Sequence, residues 1–188
     1  SIICGIKDKT KNLILDGKVK YFGIRFLPQS ISYILKTDTP SSLNVRLTLD
    51  HISKSLTMIG ATVLERNNIS ECIKILDNYF CSFFKDYIIN ERFNVLLTHA
   101  LSSRGVITVK ELSNYHLISG KQIGRYFMNN TGISTKSFLR IIRFQNAYQK
   151  IATYKQSSIS LALDAGYYDQ SHLIKDLRFY LGTIKNIY

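Results

Sequence analysis

The sequence predicts an α+β chain: a small β-rich N-terminal part, then a mostly α remainder. Three observations predict it. Before residue 35 the apolar residues come in short runs and partial alternation. From residue 47 onward they recur every three or four positions. The C-terminal part aligns weakly with itself when shifted by 50 residues. The 188 residues, 45% of them hydrophobic, allow one large domain or two small ones and argue against disorder. No apolar run approaches the roughly 20 residues of a membrane-spanning helix, and Ser1 to Gly5 lacks the basic and apolar regions of a signal peptide.

Ile2 to Ile6 is a short apolar run, and Asn12 to Leu15 leads into Asp16-Gly17, a strong hairpin-turn dipeptide. Val19 to Phe26 alternates enough to predict a strand. Pro28 ends it, because proline donates no ladder hydrogen bond. Ile31 to Leu35 reads as a short helix, and Thr37 to Asn44, polar and containing Pro40, as a loop.

Helices follow. Leu49, Ile52, Leu56 and Ile59 predict one over Leu47–Gly60, and the same spacing predicts Ile69–Tyr87 and Asn90–Ser103. Gly105 fits a C-terminal cap. Beyond it the expected helices are Val109–Tyr115, Ser119–Asn129, Thr135–Tyr154, Ser158–Asp164 and Gln170–Leu181, separated by breaks with stop or cap signals. The domain reading is 1–60, a partial or reduced regulatory part; 61–104, a helical connector leading into the next unit; and 105–188.

The net charge is +12, from 25 Lys and Arg against 13 Asp and Glu. Such an excess favours an anionic partner, since self-repulsion opposes compactness. Nucleic acid stands first, an anionic membrane surface next, and a merely basic soluble protein is the bland alternative. Residues 105–188 carry a net +7 over 84 residues, against +5 over 104 before them, so the footprint is expected there. Cys4, Cys72 and Cys81 have no metal-ligand spacing and read as reduced thiols packed in the core. His51, His99, His116 and His172 are equally scattered, so neither a metal nor another cofactor is expected. No HExxH, GxSxG or phosphate-loop motif is present, and the chain reads as a non-enzyme.

With the 50-residue shift, Val109 falls on Ile159, Leu112 on Ala162, Leu117 on Tyr167, Ile123 on Leu173, Arg125 on Lys175 and Phe127 on Leu177. Each copy is a short helix, a turn and a longer helix, the layout of a helix-turn-helix, with the helix from Thr135 to Tyr154 between them. That helix carries its apolar face on Phe138, Ile141, Ile142, Ala147 and Ile151. Ala162, Ala165 and Gly166 supply a small crossing surface in the second copy; Ser113 and His116 take those places in the first. Ile123, Tyr126 and Phe127, then Leu173 and Leu177, point inward. Gly120, Lys121, Gln122 and Arg125, then Asp169, Gln170, Ser171 and Lys175, point outward, where Gln can pair with adenine and Arg or Lys with guanine. A generic helical bundle has the same periodicity.

The segment Ile107 to Lys185 resembles the DNA-binding domain of the AraC/XylS family of bacterial transcription regulators. The resemblance rests on Ile107 to Leu112, Ser119 to Phe127 and Thr131 to Ser134. It continues through Phe138 to Phe144 and above all Ala165-Gly166-Tyr167-Tyr168-Asp169-Gln170-Ser171-His172-Leu173. It implies two helix-turn-helix units reading consecutive major grooves. The DNA-binding positions it implies are Lys121, Gln122, Arg125, Gln170, Ser171, Ile174, Lys175 and Arg178, with the start of Ser158–Asp164 also at phosphate. The chain departs from the family pattern at Gly124, Asp164, Leu177 and after Gly182. Gly17, Val19, Phe22 to Phe26 and Pro28 are similar to the end of an N-terminal domain found in some members, so the first part of that domain is expected to be absent or reduced.

The partners expected are double-stranded DNA, RNA polymerase and a second copy of the chain, with no membrane, in a bacterial cytoplasm. The alternative is a protein-interaction module that keeps the fold without specific readout, binding through the aromatic helix at Phe80 to Tyr87. The cluster Tyr79, Phe80, Phe83, Phe84, Tyr87 and Phe93 fits a core, a dimer interface or a ligand pocket. Arg143 reads as a salt-bridge partner or as packing within the domain, His116 and His172 as structural or exposed, Tyr167 and Tyr168 as core and turn packing, and Asp169 as a helix cap.

Overall fold

The computed structural model describes residues 2–6, 16–19, 21–35, 46–154 and 162–182. Strand β1, Ile2–Cys4, pairs antiparallel with β2, Arg46–Thr48, placing Ile2 opposite Thr48 and Cys4 opposite Arg46. A 3-10 turn, Leu49–His51, follows β2. The helices are α1 (Ser30–Leu35), α2 (Lys54–Glu65), α3 (Ile69–Phe83), α4 (Glu91–Ser102), α5 (Val109–His116), α6 (Gly120–Thr131), α7 (Thr135–Tyr154) and α8 (Gln170–Leu181). None of the described helices is long and apolar enough to cross a membrane. Asn12–Leu15 and Thr37–Asn44 lie outside the described residues.

Two predictions near the N-terminus are corrected. Residues 21–27 form no strand. Its apolar side chains do not share one buried face: Tyr21 is 80% exposed, while Phe26 packs edge-on against Phe80 at 5.0 Å. The ladder forms instead between β1 and residues 46–48, of which the sequence assigned Leu47 and Thr48 to a helix. That helix therefore starts later, at Lys54, where Ser53 Oγ accepts the Leu56 amide. It runs past Gly60 to Glu65.

Helices α2 and α3 form a hairpin around a small core of Val63, Cys72 and Leu76. Asn68 caps α3 by accepting from the amides of Ser70 and Glu71. Helix α3 stops at Phe83, short of the expected Tyr87. The half-exposed Arg66–Glu71 pair at 3.4 Å adds little stability in water. Of the three cysteines only Cys72 is buried; Cys4 and Cys81 are exposed, correcting the core assignment.

The main core is continuous from α4 to α8. Phe93, Leu96, Leu97 and Ala100 of α4 meet Leu112 of α5, Ile123 and Phe127 of α6, and Phe138 and Leu139 of α7. The same cluster continues to Ala162, Ala165, Tyr167, Leu173 and Leu177. Ile6 packs on it from the N-terminal segment, and α1 packs on α6. Tyr33 donates its hydroxyl to the Phe83 carbonyl at 3.3 Å, and Tyr87 donates to the Gln29 carbonyl at 3.0 Å. Burial holds the Tyr87 phenol above its ordinary value. Phe93 belongs to the main core, whereas Phe80, Phe83, Phe84 and Tyr87 form a separate half-buried cluster with Phe26 and Tyr33.

Between α4 and α5 the chain turns through two left-handed residues, Arg104 (φ 54°) and Gly105 (φ 74°). A side chain at Gly105 would collide with the Leu139 carbonyl and lie 2.6 Å from the Arg143 amide of α7. The next residue, Val106, rests against Gly166.

Candidate nucleic-acid interface

Helix α5 opens with a reciprocal cap. Thr108 Oγ1 accepts the Glu111 amide at 3.1 Å, and Glu111 accepts the Thr108 amide at 2.7 Å. The backbone N–H of Thr108, then its hydroxyl, holds the Glu111 carboxyl below its ordinary range. Leu117 ends α5 in the left-handed conformation, and Ser119 caps α6 by accepting from the Gln122 amide at 3.2 Å. The cap fixes Lys121 and Gln122 in the first turn of α6, both exposed. Arg125, one turn later, is also exposed. Behind this face Ile123 and Phe127 are fully buried. A side chain at Gly124 would meet nothing within 4 Å, so this glycine leaves open space beside Arg125.

In the second unit residues 162–164 are helical, and 155–161, with the expected start of that helix, fall outside the described residues. Gly166 (φ 80°) makes the turn. Asp169 caps α8, its carboxylate accepting the His172 amide at 2.7 Å. Ser171, Lys175 and Arg178 form one exposed stripe. Gln170 and Ile174 border it and are half-buried. Leu173, Asp176, Leu177 and Tyr180 form the opposite, buried stripe. The outward faces of α6 and α8 thus carry cations and amides, and the only acid within either helix, Asp176, points inward.

Asp176 was missed as a determinant of this surface. It is 2% exposed. Arg140 of α7 donates Nε and Nη2 to Asp176 Oδ1 at 2.9 and 2.7 Å, and Tyr167 donates its hydroxyl to Oδ2 at 3.0 Å. The Arg140 guanidinium also stacks over the Phe179 ring at 4.6 Å. The hydrogen bond to Asp176 holds Arg140 protonated, and burial, then the adjoining carboxylate, pushes the Tyr167 phenol far up. One signal was available: a charge at position 176 interrupts the apolar series 173, 177, 180.

Arg143 donates to the Gly166 carbonyl at 3.3 Å and lies over the Tyr167 ring, so it packs within the domain as expected. Tyr167 is buried as expected, whereas Tyr168 is 88% exposed, so it belongs to the turn and not to the core. The repeat also needs one adjustment. Leu117 is 93% exposed and Tyr167 3%, so they are not equivalent. The left-handed residue is Leu117 in one copy and Gly166 in the other, and the second turn is one residue longer. Ile118 takes the inward role of Tyr167.

Among the described residues no group of three or more His, Cys, Asp or Glu is arranged to hold a metal ion. Comparison with protein-family models, curated proteins and solved structures finds no match for the chain.

Proposed function

We propose that the chain is a sequence-specific DNA-binding transcription regulator of the AraC/XylS type, placing α6 and α8 in consecutive major grooves. One observation carries this reading: two capped helices each bury an apolar stripe and turn cations to solvent. Helix α7, with 20 residues, is about 30 Å long, close to the roughly 34–36 Å that separates successive grooves on one face of a duplex. Lys121, Arg125, Lys175 and Arg178 supply charge for phosphate and guanine, and Gln122, Gln170 and Ser171 supply amide and hydroxyl groups for base edges. Ile174 offers an apolar contact to a thymine methyl. A bacterial cytoplasmic setting, contact with RNA polymerase and self-association belong to the same proposal.

The second reading, a protein-interaction module without specific readout, draws on Gly124, whose open side thins the first reading face. The aromatic helix end it would offer is already engaged by Phe26 and Tyr33 of the same chain. Selection of duplexes by the purified chain, followed by anisotropy titration at fixed salt, separates the readings. Arg125→Ala and Lys175→Ala are each expected to weaken the selected duplex by about 1–3 kcal/mol. Unchanged affinity in both variants refutes the site; binding that selects no motif favours the interaction module.

A further inference from the structure

His99 of α4 and His116 of α5 meet at the edge of the first helix-turn-helix unit, with His99 Nδ1 and His116 Nε2 3.0 Å apart. Their ring centroids are 5.2 Å apart. That is close to the widest separation two imidazoles can have at this nitrogen distance. The facing nitrogens therefore point at one another along the line of centres, as a donor and an acceptor do. Two lone pairs converging on a metal would have to point aside. The arrangement is an N–H···N hydrogen bond, and it requires an unprotonated nitrogen on one ring.

The pair borders a shallow cavity whose other polar lining is Asn94, Thr98 and Ser102 from α4 and Tyr115 from α5. The Tyr115 ring packs against His99 at 4.6 Å. No Asp, Glu, Lys or Arg lines it, and the α6 cations Lys121 and Arg125 are exposed elsewhere. Of the acids on these two helices, Glu111 is engaged in its own cap at Thr108, and neither it nor Glu91 lines the cavity.

We propose that the His99–His116 hydrogen bond is a proton-sensitive clasp holding α5 to α4, which opens in mild acid and loosens the first helix-turn-helix unit. With both rings protonated, two N–H groups and two positive charges oppose each other across the bond. Burial, then the charge of His99, holds His116 below the ordinary imidazole range. The sign follows: the unfolded chain takes up protons first. One proton leaves the bond in place, since an imidazolium N–H donates to the neutral ring, so the contribution of the clasp is present above the unfolded imidazole pKa of about 6.5 and is lost as pH falls through the lower, folded value at which the pair takes its second proton.

The test needs no DNA, so its outcome is independent of the proposed function. In the full native chain, NMR titration of the imidazole resonances is expected to show His116 protonating below the ordinary imidazole range. The His116 midpoint should rise in His99→Gln. Hydrogen-exchange protection of α5 amides, corrected for intrinsic rate, should fall before that of α8 as pH drops. Removing the clasp with His116→Gln should flatten the acid-side decline in melting temperature. A His116 midpoint within the ordinary imidazole range, or one that His99→Gln does not move, overturns the proposal. So does simultaneous loss of protection in α5 and α8. The native-chain titration holds even if a variant fails to fold.

Discussion

In the first helix-turn-helix unit the second helix lies on hydrocarbon: Phe127 of α6 packs edge-on to Phe93 at 5.3 Å and against Phe138 at 5.2 Å. In the second, α8 lies on hydrocarbon at Leu173 and Leu177 but is also pinned by an ion pair, Asp176 to Arg140, with Tyr167 completing the carboxylate's partners. Phe144 stacks on Tyr180 beside it at 4.4 Å. Apolar packing is non-directional, whereas two Arg140 donors converging on one carboxylate oxygen, with the Tyr167 hydroxyl on the other, fix angle as well as distance. The first unit is thus held mainly by volume, the second by volume and orientation. Their turns differ in the same sense. The first places a leucine, and the second a glycine, in the left-handed conformation.

The sharpest way to break this contrast is Arg140→Ala. It leaves the Asp176 charge buried, with only the Tyr167 hydroxyl as partner, and should cost about 3–5 kcal/mol in urea unfolding. Asp176→Ala should cost less, because the side chain of Arg140 is 41% exposed and can turn to water. In Arg140→Ala, exchange protection should fall in α8 and persist in α5 and α6. A loss below about 1 kcal/mol, the scale of exposed pairs, would mean that solvent screens the network and the two units are held alike.

The next test concerns the turns. Gly166→Ala forces a side chain into a left-handed position against Val106 and should destabilise by about 1–3 kcal/mol. The reverse exchange, Leu117→Gly, removes an exposed side chain from the same backbone region and should gain up to about 1 kcal/mol in thermal or chemical unfolding. A loss on Leu117→Gly would show that this leucine packs on something that its 93% exposure does not reveal.

Much of the C-terminal architecture was legible because hydrophobic period, caps and turns agree there. Ser119 and Asp169 announce the starts of α6 and α8, and the inward and outward positions of both helices fall where the 3.6-residue period puts them. The first 50 residues were harder. Strand pairing depends on a partner elsewhere in the chain, so Tyr21–Phe26 looked like part of a strand without forming one, while Arg46–Thr48 found β1. Side-chain pairing across long separations is equally invisible to periodicity. Arg140 and Asp176 are 36 residues apart, and His99 and His116 are 17. Only Asp176, on an apolar stripe, betrayed itself. The cysteines were misplaced because residue type predicts burial on average, and Cys4 and Cys81 occupy outward positions.

Because Gly105 is pressed onto the backbone of α7 and Val106 onto Gly166, the strap at 104–106 ties the first unit to the second at a fixed gauge. Swinging one unit relative to the other would tear both contacts. A duplex engaged by both reading helices would then be the compliant partner: it would bend to meet the protein. Operators with easily kinked pyrimidine–purine steps between their two halves would be favoured, at positions no side chain touches.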